Sequence, residues 1–311
     1  MASSTWTNMF PPKAKWSTDR IPDLSGKVMF ITGGTGGIGK ETARVLLTKN
    51  AKVYVAGRNE KAGQEAVQAL SEATGKTAVF IKLDLANLKT IKATAEEFKS
   101  KETKLDVLFN SAGVMFPPID MITPDGYDIQ FGTNVLGHFY LTQLLLPLLL
   151  AGAESSPDHA ARVVNVSSMG HQVAYPNLSF DTFKDGPARV KLGTHRLYGQ
   201  SKFGNILFSN ELSRRYHDKG IVSIALHPGN IKTDLGRHAG PVQTAVTNML
   251  LYPVELGALT QLYAGTTPEA LKLSGKYLIP WARVGKPHPR TNDEDLAKKM
   301  WEWCEEQVAG L

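Results

Sequence analysis

The sequence predicts an α/β domain built on one doubly wound parallel sheet of about seven strands with helices on both faces. Two observations carry this. From Lys27 onward, short runs that are apolar on both faces alternate with longer amphipathic runs. That is the pattern of strands buried in a parallel sheet and of the helices that cross over between them. The first apolar run then empties into the glycine-rich stretch Thr32-Gly-Gly-Thr-Gly-Gly-Ile-Gly39, and an amphipathic run opens directly behind it.

Taken in order, residues 1–25 carry Pro11, Pro12 and Pro22 with no hydrophobic period and read as an arm over the domain. Strands are expected at 27–32, 51–56, 77–82, 105–110, 162–167 and 221–227, each a β-branched or apolar run. The helices between them are expected at 40–49, 60–73, 88–99, 125–150 and 198–216. A further helical region is expected over 233–263, a last strand at 277–279 and a terminal helix over 294–308. With no internal repeat and no linker, residues 26–311 form one domain. Ligands of such sheets bind beyond the strands' carboxyl ends. Residues 232–255 are therefore placed as a cover over the substrate, and 280–311 as a C-terminal extension.

A chain of 311 residues can bury a large core unaided. The single cysteine, Cys304, excludes a disulfide-stapled scaffold, a thiolate zinc site and an iron–sulfur cluster. No histidine pair has HExxH spacing, so no metal is expected. Thirty-five Lys and Arg against 29 Asp and Glu leave a net charge of +6, too small and scattered to indicate nucleic acid. The N-terminus lacks the basic and apolar regions of a signal peptide. The most apolar stretch, around 140–151, falls short of the ~20 residues a bilayer span needs. A cytoplasmic protein with no integral membrane span is expected.

Glycines are required where backbone turns tightly and approaches a pyrophosphate, and the helix behind them supplies N–H donors and a positive dipole end. The stretch after strand one fits a Rossmann-type nucleotide site, with Gly33, Gly37 and Gly39 in the best registration and Thr35 and Ile38 between them. Strand two ends Val55-Ala-Gly-Arg58-Asn59, with no acid at its tip to hold a ribose 2′-hydroxyl. Arg58 stands where a 2′-phosphate would be, and a guanidinium suits that group. NADP(H) is preferred over NAD(H).

Further landmarks follow in order: Asp84 after strand three, Asn110-Ser-Ala-Gly113 after strand four, Ser168 after strand five, Tyr198-x3-Lys202, and Pro228-Gly229 after strand six. Over roughly residues 25–235 this resembles a short-chain dehydrogenase/reductase, with Ser111 where that family more often has Asn. The flanking Ile21-Pro-Asp-Leu-Ser-Gly26 and Gly275-Lys276-Tyr277 resemble the subgroup that includes retinol dehydrogenases and many fungal carbonyl reductases. The resemblance implies a catalytic set of Tyr198, Lys202 and Ser168, with Ser167 a lesser candidate. It adds Asn134, whose backbone carbonyl would hold a water relaying protons to the lysine. It places Asp84 and Leu85 at the adenine, and Asn110, Ala112 and Gly113 at the adenosine ribose. Pro228, Gly229, Ile231 and Thr233 would hold the carboxamide, and Lys202 would also bond the nicotinamide ribose. Independently of that resemblance, Tyr198 and Lys202 are i and i+4 on one helical face. A phenol of pKa ~10 is a poor base near neutrality, and an adjacent ammonium favours its phenolate.

The expected activity is interconversion of a carbonyl and an alcohol, probing a small molecule through Met115, His171, Val173, Tyr175, residues 235–251 and Trp281. These are mostly apolar or aromatic, which points to a medium-to-large hydrophobic substrate; the expected direction is reduction. His138 is expected to pack or bond locally, and His195 to border the site at most. Two alternatives stay open at this stage: an epimerase or dehydratase of the same superfamily, and a non-catalytic dinucleotide sensor or scaffold. The protein is expected to be a monomer or a homodimer. Such enzymes often pair through their two long helices, here near 125–150 and 198–216, unless a terminal extension blocks that face.

Overall fold

The computed structural model describes residues 7–232 and 251–311. The expected strands all form: β1 (Val28–Thr32), β2 (Lys52–Gly57), β3 (Val79–Lys82), β4 (Val107–Asn110), β5 (Ala161–Val166), β6 (Ile221–Leu226) and β7 (Tyr277–Ile279). An eighth, β8 (Arg283–Gly285), turns back antiparallel on β7 and was not anticipated. The order is β3-β2-β1-β4-β5-β6-β7-β8, and every pairing except β7–β8 is parallel. β1 lies between β2 and β4, so the winding reverses there. That switch point is where doubly wound sheets open a crevice for ligands.

Among the described residues, seven longer helices flank the sheet: α1 (Gly37–Thr48), α2 (Glu60–Thr74), α3 (Leu88–Lys101), α4 (Ile129–Ser155), α5 (Thr194–Tyr216), α6 (Val254–Thr266) and α7 (Glu294–Val308). One apolar core gathers α1, α2 and α6 with Trp16, Ile21 and Leu24 of the N-terminal segment. Trp16 meets the Tyr263 ring edge-on at 5.6 Å, so this part of the segment is packed into the domain. The opposite core gathers α3, α4, α5 and α7. Of the helical region expected over 233–263, residues 233–250 lie outside the described residues, and α6 accounts for the rest.

α4 begins four residues later than expected because Asp128 caps it, its carboxylate accepting from the Gln130 and Phe131 N–H groups at 3.1 and 2.8 Å. By length and composition α4 could cross a bilayer, with a mean hydropathy of 1.6, but 67% of that window is buried in the fold. It is apolar all round because it lies between the sheet and α3, α5 and α7. Within it, Gly132–Leu136 form a π-turn, and the Gly137 N–H reaches back to the Gly132 carbonyl.

α7 closes this side of the molecule. Trp301 is fully buried, meeting Phe139 edge-on at 5.0 Å and stacking on Phe208 at 5.8 Å, while Trp303 meets Phe131 and Phe183. Cys304, also buried, lies in the same core. α7 thus covers part of the α4–α5 surface. Trp301→Ala should cost about 3–5 kcal/mol of stability, read from the urea unfolding midpoint. A loss below about 1 kcal/mol would mean that α7 is not part of the cooperative core.

Candidate active site

The glycine loop is shaped by close approaches. A Cβ at Gly39 would overlap the Gly33 carbonyl oxygen, and one at Gly33 would sit 3.0 Å from Ala112 Cα. At Gly36 and Gly37 the backbone is exposed, and a Cβ at Gly36 would meet nothing. α1 starts here with no side-chain cap and no acid in its first turn. Its first N–H groups are therefore offered outward at a positive dipole end. Thr35 packs on Gly57 at the end of β2. Next to it Arg58 is exposed and makes no ion pair among the described residues.

Thr32 ties this loop to the end of β4. Its hydroxyl accepts from the Ser111 and Ala112 N–H groups, both at 2.9 Å, and lies 2.9 Å from His138 Nε2. The other ring nitrogen, Nδ1, lies 3.0 Å from the Asn134 carbonyl, which can only accept. The proton is therefore on Nδ1, and the Thr32 hydroxyl donates to Nε2. Burial holds His138 down to about 4, so this neutral form persists near neutrality. Local bonding of His138 is as expected, but its reach to β1 is not visible from sequence spacing.

Asn134 sits in the π-turn, fully buried. Its side chain brackets Val114, accepting from Val114 N–H at 2.9 Å and donating to Val114 O at 3.0 Å, and also donates to Ser201 Oγ at 2.9 Å. Its carbonyl takes the Asn205 amide at 2.6 Å besides His138. The groups seen on this carbonyl are thus protein donors. Gly113 lies close by, where a Cβ would stand 3.2 Å from Asn134 Oδ1 and 3.5 Å from Lys202 Nζ.

α5 carries Tyr198 and Lys202, both buried. Lys202 Nζ donates to the Val166 carbonyl at 3.0 Å and lies 5.9 Å from the Tyr198 ring centroid. Burial lowers the ammonium to about 8. Burial likewise pushes the Tyr198 phenol up to about 12, with the neighbouring Ser168 hydroxyl pulling the other way. This differs from the expectation that the phenol is lowered, because burial disfavours the charged phenolate. The two serines separate cleanly. Ser167 spends its hydroxyl on the Lys202 carbonyl at 2.7 Å, whereas Ser168 Oγ accepts from Gly170 N–H at 3.1 Å and turns its hydrogen toward Tyr198.

The remaining positions are less uniform. Asp84 accepts from the Ala86 N–H at 3.0 Å, and Leu85 is buried under Gly137. The Asn110 side chain turns into the core, donating to Asn165 and Thr142 at 2.9 and 3.2 Å, so only its backbone can face a nucleotide. Pro228 and Gly229 follow β6, with the Trp281 ring 3.1 Å from where a Gly229 Cβ would be. Ile231 packs beneath Gly257. Thr233 and 235–250 lie outside the described residues. Among the substrate candidates, Met115 is half-buried, Val173 is exposed, and Tyr175 bonds Ser179 Oγ at 2.7 Å. Trp281 is buried against Tyr252. His171 is fully buried. Sequence reading missed Phe116. Its backbone has φ +53°, and its ring lies 5.0 Å from Tyr198 and 4.3 Å from the exposed His195. Asn205 was also missed, although it stands three residues after Lys202 on the same helical face.

The comparisons with known proteins agree with this geometry. A profile of the short chain dehydrogenase family matches residues 27–180. A short-chain dehydrogenase/reductase of Armillaria gallica is 52% identical over 98% of both chains. An uncharacterized oxidoreductase of Schizosaccharomyces pombe is 39% identical over 93% of this chain and 87% of its own. Among solved structures, an uncharacterized protein from Mycobacterium paratuberculosis superposes with a TM-score of 0.71 at 28% identity, covering 95% of this chain and 98% of that one. Pseudomonas aeruginosa RhlG, solved as an NADP active-site complex, gives 0.65 at 25% identity over 82% of this chain and 95% of its own. With the parallel sheet, the glycine loop and the Ser168, Tyr198 and Lys202 cluster in place, this chain belongs to the short-chain dehydrogenase/reductase family.

Proposed function

We propose that this protein is an NADP(H)-dependent oxidoreductase that interconverts a carbonyl and an alcohol on a medium-to-large hydrophobic substrate, working as a reductase in the cytoplasm. The observation that carries the reading is the convergence at Gly113. There bare backbone lies against Lys202 Nζ and Asn134, and Tyr198 and Ser168 share the turn at Gly170. The donor set fits a dinucleotide. The uncapped, acid-free start of α1 and the exposed backbone at Gly36 and Gly37 suit a pyrophosphate. Arg58, exposed and without an ion pair among the described residues, suits a 2′-phosphate and supports NADP(H) over NAD(H). Gly33, Thr35, Ile38, Gly39, Ala112 and Gly113 would line that cofactor. When bound, the nicotinamide supplies the hydride.

The chain's own groups handle the proton. With its phenol near 12, Tyr198 stays protonated through the physiological range, the state needed to give a proton to a developing alkoxide. That favours reduction. Ser168, with its hydrogen uncommitted to Gly170, can donate to the same oxygen and steady its charge. Lys202, anchored on Val166, places positive charge beside Tyr198 as the phenolate forms. Phe116 adds partly exposed apolar surface by Tyr198, which supports a hydrophobic substrate.

The direct test is NADPH oxidation against a panel of hydrophobic ketones and aldehydes, where no turnover on any member would remove the reading. Tyr198→Phe should lower kcat by about 10²–10⁴-fold while the Kd for NADPH, read by fluorescence quenching, stays put; near-native turnover would take the proton from another donor. Arg58→Ala should raise the KM for NADPH by about tenfold or more and leave that for NADH nearly unchanged, and equal effects on both would reverse the cofactor preference. Lys202 is charged below its pKa of about 8 and neutral above it, so reductase kcat should decline on the alkaline side of that value. Residual activity in Lys202→Arg should extend to higher pH, and an unmoved alkaline limb would assign it to another group.

A further inference from the structure

The turn that presents Ser168 is held from outside the catalytic set. The Ser168 carbonyl accepts twice from one residue, from the His171 N–H at 3.2 Å and from His171 Nδ1 at 2.6 Å. His171 Nε2 meets the backbone N–H of His288 at 3.2 Å, and the adjacent Gln172 amide donates to the Lys286 carbonyl at 3.1 Å. A carbonyl can only accept and a backbone N–H can only donate, so the partners dictate the tautomer: proton on Nδ1, lone pair on Nε2. The imidazole is fully buried, with the Tyr277 ring edge-on at 5.1 Å and its hydroxyl 3.4 Å from Nδ1. His171 therefore has both nitrogens spent and no face left for a substrate.

We propose that His171 is a positioning residue that couples the C-terminal segment at 286–288 to Ser168, so that this segment is a working part of the active site. The inference rests on the oxidoreductase reading above. Ser168 can donate to the substrate oxygen only while Gly170 N–H holds its Oγ from the other side, and that geometry exists only while the 168–171 turn is closed. A side chain with one donor and one acceptor at imidazole spacing closes the turn and docks the extension in the same stroke.

The backbone at His288 allows a narrow test. Its φ of −58° and ψ of 133° match proline, and Pro289 follows, which itself favours that ψ. His288→Pro therefore deletes one N–H donor with little change of path. His288→Ala is its reference, because it loses the same side chain and keeps the N–H. The kcat for carbonyl reduction in His288→Pro should fall about tenfold below that of His288→Ala, with the KM for NADPH matched between them. Equal kcat values would overturn the proposal. Should His288→Pro fail to fold, His171→Gln and His171→Leu decide. Glutamine carries a donor and an acceptor and should retain most of the kcat, leucine carries neither and should lose it, and equal losses would overturn the coupling. Nitrogen-15 NMR of the wild-type chain should show His171 protonated on Nδ1 alone, and a proton on Nε2 would equally sink it. That measurement needs no substrate, so an enzyme inactive on every carbonyl would remove the functional reading while leaving the clamp tested on its own.

Discussion

The Thr32 hydroxyl is the point at which the rest of the site is fixed. It accepts two backbone N–H groups from the end of β4, and its one hydrogen, directed to His138 at 2.9 Å, also lies within reach of the Phe109 carbonyl at 3.2 Å. His138 passes the constraint to the Asn134 carbonyl, which Asn205 of α5 grips from the other side. Four elements, β1, β4, α4 and α5, are thereby held in one register by a hydroxyl, an imidazole and two amides. Lost at any member, such a buried network leaves its neighbours unpaired at real cost, which is why it specifies a single arrangement.

The π-turn in α4 belongs to the same constraint. A regular helix would close the Asn134 carbonyl on a backbone N–H. In the Gly132–Leu136 π-turn it receives side-chain donors from His138 and Asn205, and the Asn134 side chain meets Val114. The fit is incomplete: the Asn205 and Asn110 side-chain oxygens are buried without a partner among the described residues. Orphaned acceptors of this kind, close to Lys202 and the β4 end, are common where a fold gives up stability for a working site.

Much of this was legible in the sequence, and the remainder was not, for identifiable reasons. Buried parallel strands must be apolar on both faces, so β1 to β7 announce themselves as runs, with errors of a residue or two at their ends. β8 did not, because Arg283-Val-Gly285 is short, polar at one end and held by its hairpin with β7 rather than by burial. The Tyr198–Lys202 pair and the glycine loop were readable because their chemistry needs fixed spacing along one element. The roles of His138 and His171 were not, because each is defined by a partner more than a hundred positions away. Desolvation escaped notice for the same reason: a residue's distance from water is a property of the closed fold, and it overturned the expected direction for Tyr198.

The burial of Cys304 on the inner face of α7 has a consequence for how the molecule comes apart. Its thiol is wholly enclosed and burial raises its pKa far above the ordinary range, so the reactive thiolate is suppressed while α7 stays docked. The chain has no second thiol to confuse the signal. Alkylation of this protein therefore keeps time with the lifting of its last helix, a natural clock for the opening of the α4–α5 face.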